Sequence, residues 1–339
     1  VNWVDLALRD GVRNNHSLSF SGGTDNLNFF ISGSALNATG ISVGDKYDRY
    51  TLRPNITVSV NDWITLTSNS QLMYGISDGL DSDYGSDRGA FYMNPLSTPY
   101  NEDGTINVYP WPEGRFFTNP LGSTTADNTD RRNQVVTNNS IRLDIPQIEG
   151  LEYTLQTSVM YRQLTESTYY FRDSSRQGAE SNGRASNSES TENDYSVDNI
   201  VKYNKDFGKH RVLLTGLFGY QSNKRTSIYV SGEGFPNDVL TNYQYSSATL
   251  LQASSNYTLA TQLSSMFRVN YNFDGKYLVT ATVRRDGYNG FGDDNKYGVF
   301  PSLALGWNVS NEDFFDFEAI NSLKIRASYG TAGNQAIGV

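Results

Sequence analysis

Read two residues at a time, the stretch from Tyr257 to Gly338 separates into an apolar and a polar face. Leu263, Phe267, Val269, Tyr271 and Phe273 share one parity, and Gln262, Ser264, Arg268, Asn270 and Asn272 share the other. Tyr277, Val279, Ala281 and Val283 oppose Thr280, Thr282 and Arg284. Val299, Leu303, Leu305, Trp307 and Val309 oppose Ser302, Ala304, Gly306 and Asn308, and Leu323, Ile325, Ala327 and Tyr329 oppose Lys324, Arg326 and Ser328. A period of two is that of a β-strand. Runs of about ten residues, uncharged on the apolar face and charged or amide-bearing on the other, fit a sheet with lipid outside and water inside.

The same alternation predicts twelve strands, at 14–21, 26–36, 47–60, 63–74, 131–145, 151–163, 194–206, 210–221, 257–273, 277–286, 298–309 and 323–330. Residues 1–13 read as a lead-in with a helical turn, and 14–339 as a membrane β-barrel segment. The connections alternate in length. Short ones such as Asn61–Asp62 and Asp274–Lys276 occupy most of the odd places, with a longer one at 311–322, whereas 37–46, 75–130, 164–193, 222–256 and 287–297 occupy the even ones. Short periplasmic turns and long extracellular loops produce this rhythm in an outer-membrane barrel. It also sets the direction: strand 14–21 runs towards the periplasm, and residues 1–13 lie near the outer face.

The mid-strand cations Arg53, Arg142, Lys202, Arg268, Arg284, Lys324 and Arg326 all fall on the polar parity. A cation facing lipid at mid-depth costs about 2–4 kcal/mol, which explains the bias and makes these residues lumen-facing. Of Arg284 and Arg285 one must point out, and their place near the outer rim makes that cheap. Strand 210–221 is ambiguous, since Leu213, Leu214, Leu217 and Phe218 occupy both faces. Pro54 and Pro301 lie inside predicted strands, and a residue without an N–H is expected near a strand end or a bulge.

Composition sharpens this reading. Negative mean hydropathy does not oppose it, because half of a barrel wall and all of its loops are wet. The 23 Tyr and 17 Phe suit aromatic girdles at two bilayer interfaces. There is no Cys, which excludes disulfides and thiolate chemistry. A net charge of −9 argues against nucleic acid as a partner. No apolar run is long enough for a transmembrane helix.

Several segments resemble SusC/RagA-type TonB-linked outer-membrane transporters: residues 2–11 (NWVDLALRDG), 17–41, 103–110, 271–287, 296–315 (KYGVFPSLALGWNVSNEDFF) and 323–338 (LKIRASYGTAGNQAIG). The last two are the most specific. The resemblance implies an all-β, antiparallel, 22-stranded barrel, of which about twelve strands lie here. It implies an N-terminal plug domain and a TonB-binding segment ahead of Val1, further strands beyond Val339, and a SusD-like lipoprotein as a lid. It further implies TonB-driven import of oligosaccharides or peptides, with outer-membrane lipid around the wall and no catalytic step. A segment with two unpaired edges is not expected to be stable alone in lipid.

Candidate chemistry lies in the loops. Tyr84, Arg88, Tyr109, Trp111, Glu113 and Arg115 combine aromatic faces with polar groups, as glycan or peptide contacts require. The plainer alternative is packing of the loop on itself or on the lid. The luminal cations Arg53, Arg142, Arg268, Arg284 and Arg326 are expected to meet the plug or the substrate. Asp78, Asp81, Asp83 and Asp87 offer oxygens to a Ca²⁺ ion but lack the EF-hand spacing, so a solvated acidic loop competes and no cofactor is required. His16 and His210 have no Ser–Asp partner at a recognisable spacing, which leaves a hydrolytic outer-membrane enzyme unsupported. Residues 287–292 (GYNGFG) open no helix and make no nucleotide site. A soluble carbohydrate-binding or adhesive β protein is the competing class, and it requires charge on both strand faces.

Overall fold

A computed structural model of the chain describes residues 1–79, 86–111, 118–317 and 319–334, apart from the side chains of 86–88, 123 and 293. One twelve-stranded sheet dominates it, with every strand antiparallel to the next and the order following the chain. The strands are β1 (Val12–Thr24), β2 (Leu27–Thr39), β3 (Lys46–Asn61), β4 (Ile64–Asp78), β5 (Asp127–Asp144), β6 (Leu151–Tyr170), β7 (Arg184–Phe207), β8 (His210–Glu233), β9 (Leu250–Phe273), β10 (Tyr277–Tyr288), β11 (Tyr297–Asn308) and β12 (Lys324–Gly330). Each of the twelve overlaps an expected strand. Among the described residues, β1 and β12 have one neighbour each, so the sheet is open at both edges.

Register shows why this sequence makes this sheet. Leu27↔Val58, Leu52↔Leu72, Leu72↔Val135, Val135↔Tyr161, Val159↔Tyr195, Val269↔Ala281, Ala281↔Leu303 and Leu303↔Tyr329 are all paired, so apolar positions continue across the whole sheet on one face. A slip of one residue would exchange the faces of a strand and set its charges among them. These side chains remain exposed, Leu303 at 46% and Phe218 at 53%, because no protein layer covers the face. Its mid-strand polar groups are uncharged and bonded to one another: the Ser68 hydroxyl donates to Asn139 Oδ1 at 2.7 Å, Ser70 and Thr137 hydroxyls meet at 2.8 Å, and Tyr153 donates to Asn199 at 2.7 Å.

Aromatic residues mark two levels on this face. Tyr153, Tyr203, Tyr271, Tyr277 and Trp307 lie near the short turns, and Tyr50, Tyr74, Tyr161, Tyr195 and Tyr220 lie towards the long loops. The pair Tyr153 and Tyr161 on β6 measures the gap: about eight residues of about 3.3 Å, tilted by about 40°, cover roughly 20 Å. That approaches the apolar band of about 25 Å in outer-membrane barrels. Arg285 points to this face at about the outer level, as many residues from Tyr277 as Tyr161 is from Tyr153, with its guanidinium 4.1 Å above the Tyr297 ring.

The two prolines differ. The Pro301 carbonyl accepts the Thr331 N–H at 3.0 Å, and the β11–β12 ladder begins only at Ser302↔Gly330. Its missing donor therefore falls where β12 stops. Pro54 contradicts the expectation of a strand end or bulge, since it sits in mid-β3. The ladder to β4 passes from Leu52↔Leu72 to Asn55↔Asn69 without a change of register, so the cost is a local gap. Arg53 Nε donates to Gln71 Oε1 at 2.9 Å across it.

Strands β6 to β9 run beyond the outer aromatic level, into stretches that read as loop from sequence. The connections between them shorten to 171–183 and 234–249. At the opposite end, Gly150 turns the chain from β5 into β6 with φ +85°, and its carbonyl accepts the Asn204 N–H at 2.8 Å. A Cβ there would strike the Asn204 carbonyl oxygen. Gly150→Ala is expected to destabilise the folded barrel by more than about 1 kcal/mol, read as a lower urea midpoint for loss of the heat-modifiable form on gels.

Candidate functional site

Function in such a sheet resides in the polar face and in the loops at its tall end. The register places Arg53, Arg142, Lys202, Arg268, Arg284, Lys324 and Arg326 on the polar face together. Most have partners there. Arg142 pairs with Asp144 at 3.2 Å, Lys202 with Glu152 at 3.0 Å and Arg284 with Asp286 at 2.7 Å. Arg268 Nε donates to the Thr282 hydroxyl at 3.1 Å. The ambiguity of β8 resolves into an outward pair, Leu214 and Phe218, and an inward pair, Leu213 and Leu217. Leu217 lies between Ile200 and Met266, an apolar island on the polar face.

The loops at the tall end are held by two small cores. Helix α1 (Trp3–Ala7) begins after Asn2, whose side chain accepts the N–H groups of Val4 and Asp5. Trp3 and Ala7 pack with Ala90 of helix α2 (Ser86–Tyr92) and with Met93 and Leu121, and Trp3 Nε1 donates to the Asn94 carbonyl at 3.0 Å. The segment before β1 thus docks into the β4–β5 loop. Asn119 Nδ2 ties this loop internally, donating to the carbonyls of Pro99 and Asn107 at 2.7 and 3.0 Å.

The second core joins the other two loops. Phe235 and Tyr169 are fully buried with Ala185, packed by Phe171, Tyr245 and Ala248. The Tyr169 hydroxyl donates to Asp238 Oδ1 at 2.7 Å, and Arg172 Nε donates to Oδ2 at 3.1 Å. Burial, with the Asp238 carboxylate alongside, drives the Tyr169 phenol upward, and burial pushes that of Tyr245 up to about 12. Helix α3 (Arg176–Ser181) follows, capped by the Ser175 hydroxyl, which accepts the Gly178 N–H at 3.2 Å.

The expected ligand contacts fall unevenly on this frame. Tyr109 donates its hydroxyl to Glu180 Oε1 at 2.9 Å and so links the β4–β5 loop to α3, a bond that sequence reading did not foresee. Trp111 is half-buried beside it in the chain. Tyr84, Glu113 and Arg115 lie outside the described residues, as does the Arg88 side chain. The same holds for Asp81, Asp83 and the side chain of Asp87, while Asp78 accepts the Thr129 hydroxyl at 3.0 Å. Among the described residues, no three His or carboxylate groups gather as metal ligands do. Tyr109→Phe is expected to loosen the loop by about 1 kcal/mol, seen as several-fold faster amide exchange over 93–111 with the strands unchanged.

The family described as TonB dependent receptor-like, beta-barrel matches residues 68–338. The chain belongs to this family. It is a family of outer-membrane receptors, not enzymes, and the two-faced sheet is a part of its barrel wall. Among curated TonB-dependent receptors, the chain is 29% identical to receptor P3 and 30% to receptor P39 of Formosa agariphila, with 99% and 100% of the chain aligned to 34% and 32% of those proteins. It is 26% identical to SusC of Bacteroides thetaiotaomicron over 100% of the chain and 35% of that receptor. The chain therefore spans about a third of the length of these relatives. In fold it resembles the RagAB peptide transporter, with a TM-score of 0.78 at 20% identity over 99% of this chain and 38% of that one. TonB-dependent barrels surround an interior, which makes the polar face of this wall the inner one.

Proposed function

We propose that the protein of which this chain forms part is a nutrient importer of the SusC/RagA type. It takes up oligosaccharides or peptides through the barrel lumen by TonB-driven transport. A SusD-like lipoprotein captures ligand over the outer mouth, and a plug domain closes the lumen and signals to TonB. The observation that carries this reading is the register. Across the sheet Arg53, Arg142, Lys202, Arg268, Arg284, Lys324 and Arg326 share the inner face with amides and hydroxyls, while the outer face is apolar through its middle and carries cations such as Arg285, Arg131 and Lys224 only towards the long loops. A polar passage through a lipid-stable wall follows from that division. The raised wall of β6 to β9 and the loops folded on it form one side of an outer vestibule, where Tyr109 and Trp111 stand as ligand contacts. Arg53, Arg142, Arg268, Arg284 and Arg326 face the plug or the passing substrate.

The test is uptake by the source bacterium. Deleting the gene should abolish growth on one class of glycan or peptide, and loss of TonB should do the same. The protein should purify from detergent extracts with a lipoprotein bound. Uptake that persists without TonB would overturn the proposal.

A further inference from the structure

Two neighbouring register rows of the inner face carry an excess of arginine that import alone does not explain. The first runs Asn15, Leu36, Arg49, Gly75, Arg132, Leu164, Ser190, Ser227 and Asn256 from β1 to β9. The second runs Ser17, Ser34, Thr51, Met73, Gln134, Arg162, Glu192, Arg225 and Thr258. Together they hold Arg49, Arg132, Arg162 and Arg225 against one carboxylate, Glu192, in a chain whose net charge is −9. These residues lie about a dozen or more positions beyond the short turns, and about 9–11 suffice to cross a bilayer. The belt therefore lies at the outer edge of the membrane, level with Tyr50 and Tyr74, where the lumen opens into the vestibule.

Its geometry leaves cationic donors open. Glu192 takes Arg162 at 3.1 Å and Arg225 at 2.9 Å, with Asn223 donating at 3.2 Å. One carboxylate thus answers two guanidinium groups. Arg132 and Arg49 make no ion pair among the described residues, and Arg49 Nε is buried without a hydrogen-bond partner. Between them lies Gly75, and the Tyr47 side chain leans over the space that a side chain there would take. Arg132, Arg162 and Arg225 line one concavity of about 330 Å³ with Gln134, Leu164, Ser190 and the Glu192 carboxylate. The nearest carboxylates on the same face are Asp130 and Glu166 one row outward and Asp194 one row inward.

We propose that this arginine belt binds the anionic groups, carboxylate or sulfate ester, of an acidic oligosaccharide on its way into the lumen. Planar guanidinium forks match such oxyanions with paired hydrogen bonds, and a row of them suits a ligand that repeats its charge. The inference rests on the importer reading and narrows it to acidic ligands.

The probe is a short dextran sulfate, with uncharged dextran of the same length as its control, offered to the full-length transporter in detergent. The transporter should bind the sulfated chain and not the neutral one. Arg49→Gln with Arg132→Gln should weaken binding by roughly tenfold or more and flatten its dependence on salt. Both positions lack an ion pair, so the fold should persist, as heat-modifiability on gels would show. No binding of dextran sulfate, equal binding of dextran, or unchanged affinity in the double variant would each overturn the belt. No binding is also the outcome if carboxylates of the same protein occupy it. Import is scored separately, by TonB-dependent growth: binding without TonB-dependent uptake would defeat the importer and leave the belt, and the reverse would defeat the belt alone.

Discussion

Leu303→Arg should prevent the barrel from assembling. Leu303 is half-exposed on the outer face of β11, paired with Ala281 and Tyr329, about six residues above the short turn. That places it near mid-bilayer, where an arginine facing lipid costs about 2–4 kcal/mol. A barrel wall has few places for so long a side chain to reach water, since its neighbours on that face are Leu305, Ala281 and Val283. Ser302→Arg, one residue away and facing inward beside Thr282, should assemble nearly as well as the parent. The readout is the folded fraction recovered from outer membranes, scored by resistance to unfolding in unheated detergent. Equal recovery of the two variants would contradict the face assignment.

Phe235→Ala should unfold the outer loops while leaving the membrane wall intact. The ring is fully buried between Tyr169 and Ala185, 5.7 Å from the Tyr169 ring, and the Phe235 N–H donates to the Asn182 carbonyl at 3.0 Å. Removing a buried phenyl group costs about 3–5 kcal/mol. The segments 171–183 and 234–249 have little other core, so the loss is local. Tyr169 would lose its packing, and the Asp238–Arg172 pair would become exposed. Limited proteolysis of intact cells should then cut within these two loops at least tenfold faster, while the strands below remain protected. Slow cutting, or loss of the whole barrel, would show that the loop core is not a separate unit.

The membrane part of this fold is legible in the sequence because lipid imposes a strict rule on it. Leu303, Leu305 and Trp307 against Ser302, Ala304 and Gly306 admit one reading, and the register confirms it. Above the bilayer the rule lapses. Residues 184–193 (RASNSESTEN) are polar on both parities and carry no period, yet they extend β7, because β6 and β8 satisfy their backbone on either side. The loop core escaped for a different reason: Tyr169 and Phe235 lie far apart in sequence and belong to no periodic run. The arginine belt was hidden as well. Arg49, Arg132, Arg162 and Arg225 come from four strands, and only the register shows them side by side. Pro54 marks a limit of rule-based reading, since Arg53 and Gln71 bridge the gap that the proline opens.

The most direct test of the whole account is a nitroxide scan along β10, one cysteine at a time from Leu278 to Arg284, in the full-length protein embedded in bilayers. These 339 residues hold no cysteine, and any cysteine elsewhere in the full-length protein is first replaced by serine. Collisions with oxygen, which concentrates in lipid, and with a water-soluble nickel chelate report the surroundings of each position. Oxygen access should peak at Val279, Ala281 and Val283, and nickel access at Thr280, Thr282 and Arg284, with a period of two. A scan with no alternation, or with the phases exchanged, would contradict a membrane wall with this register.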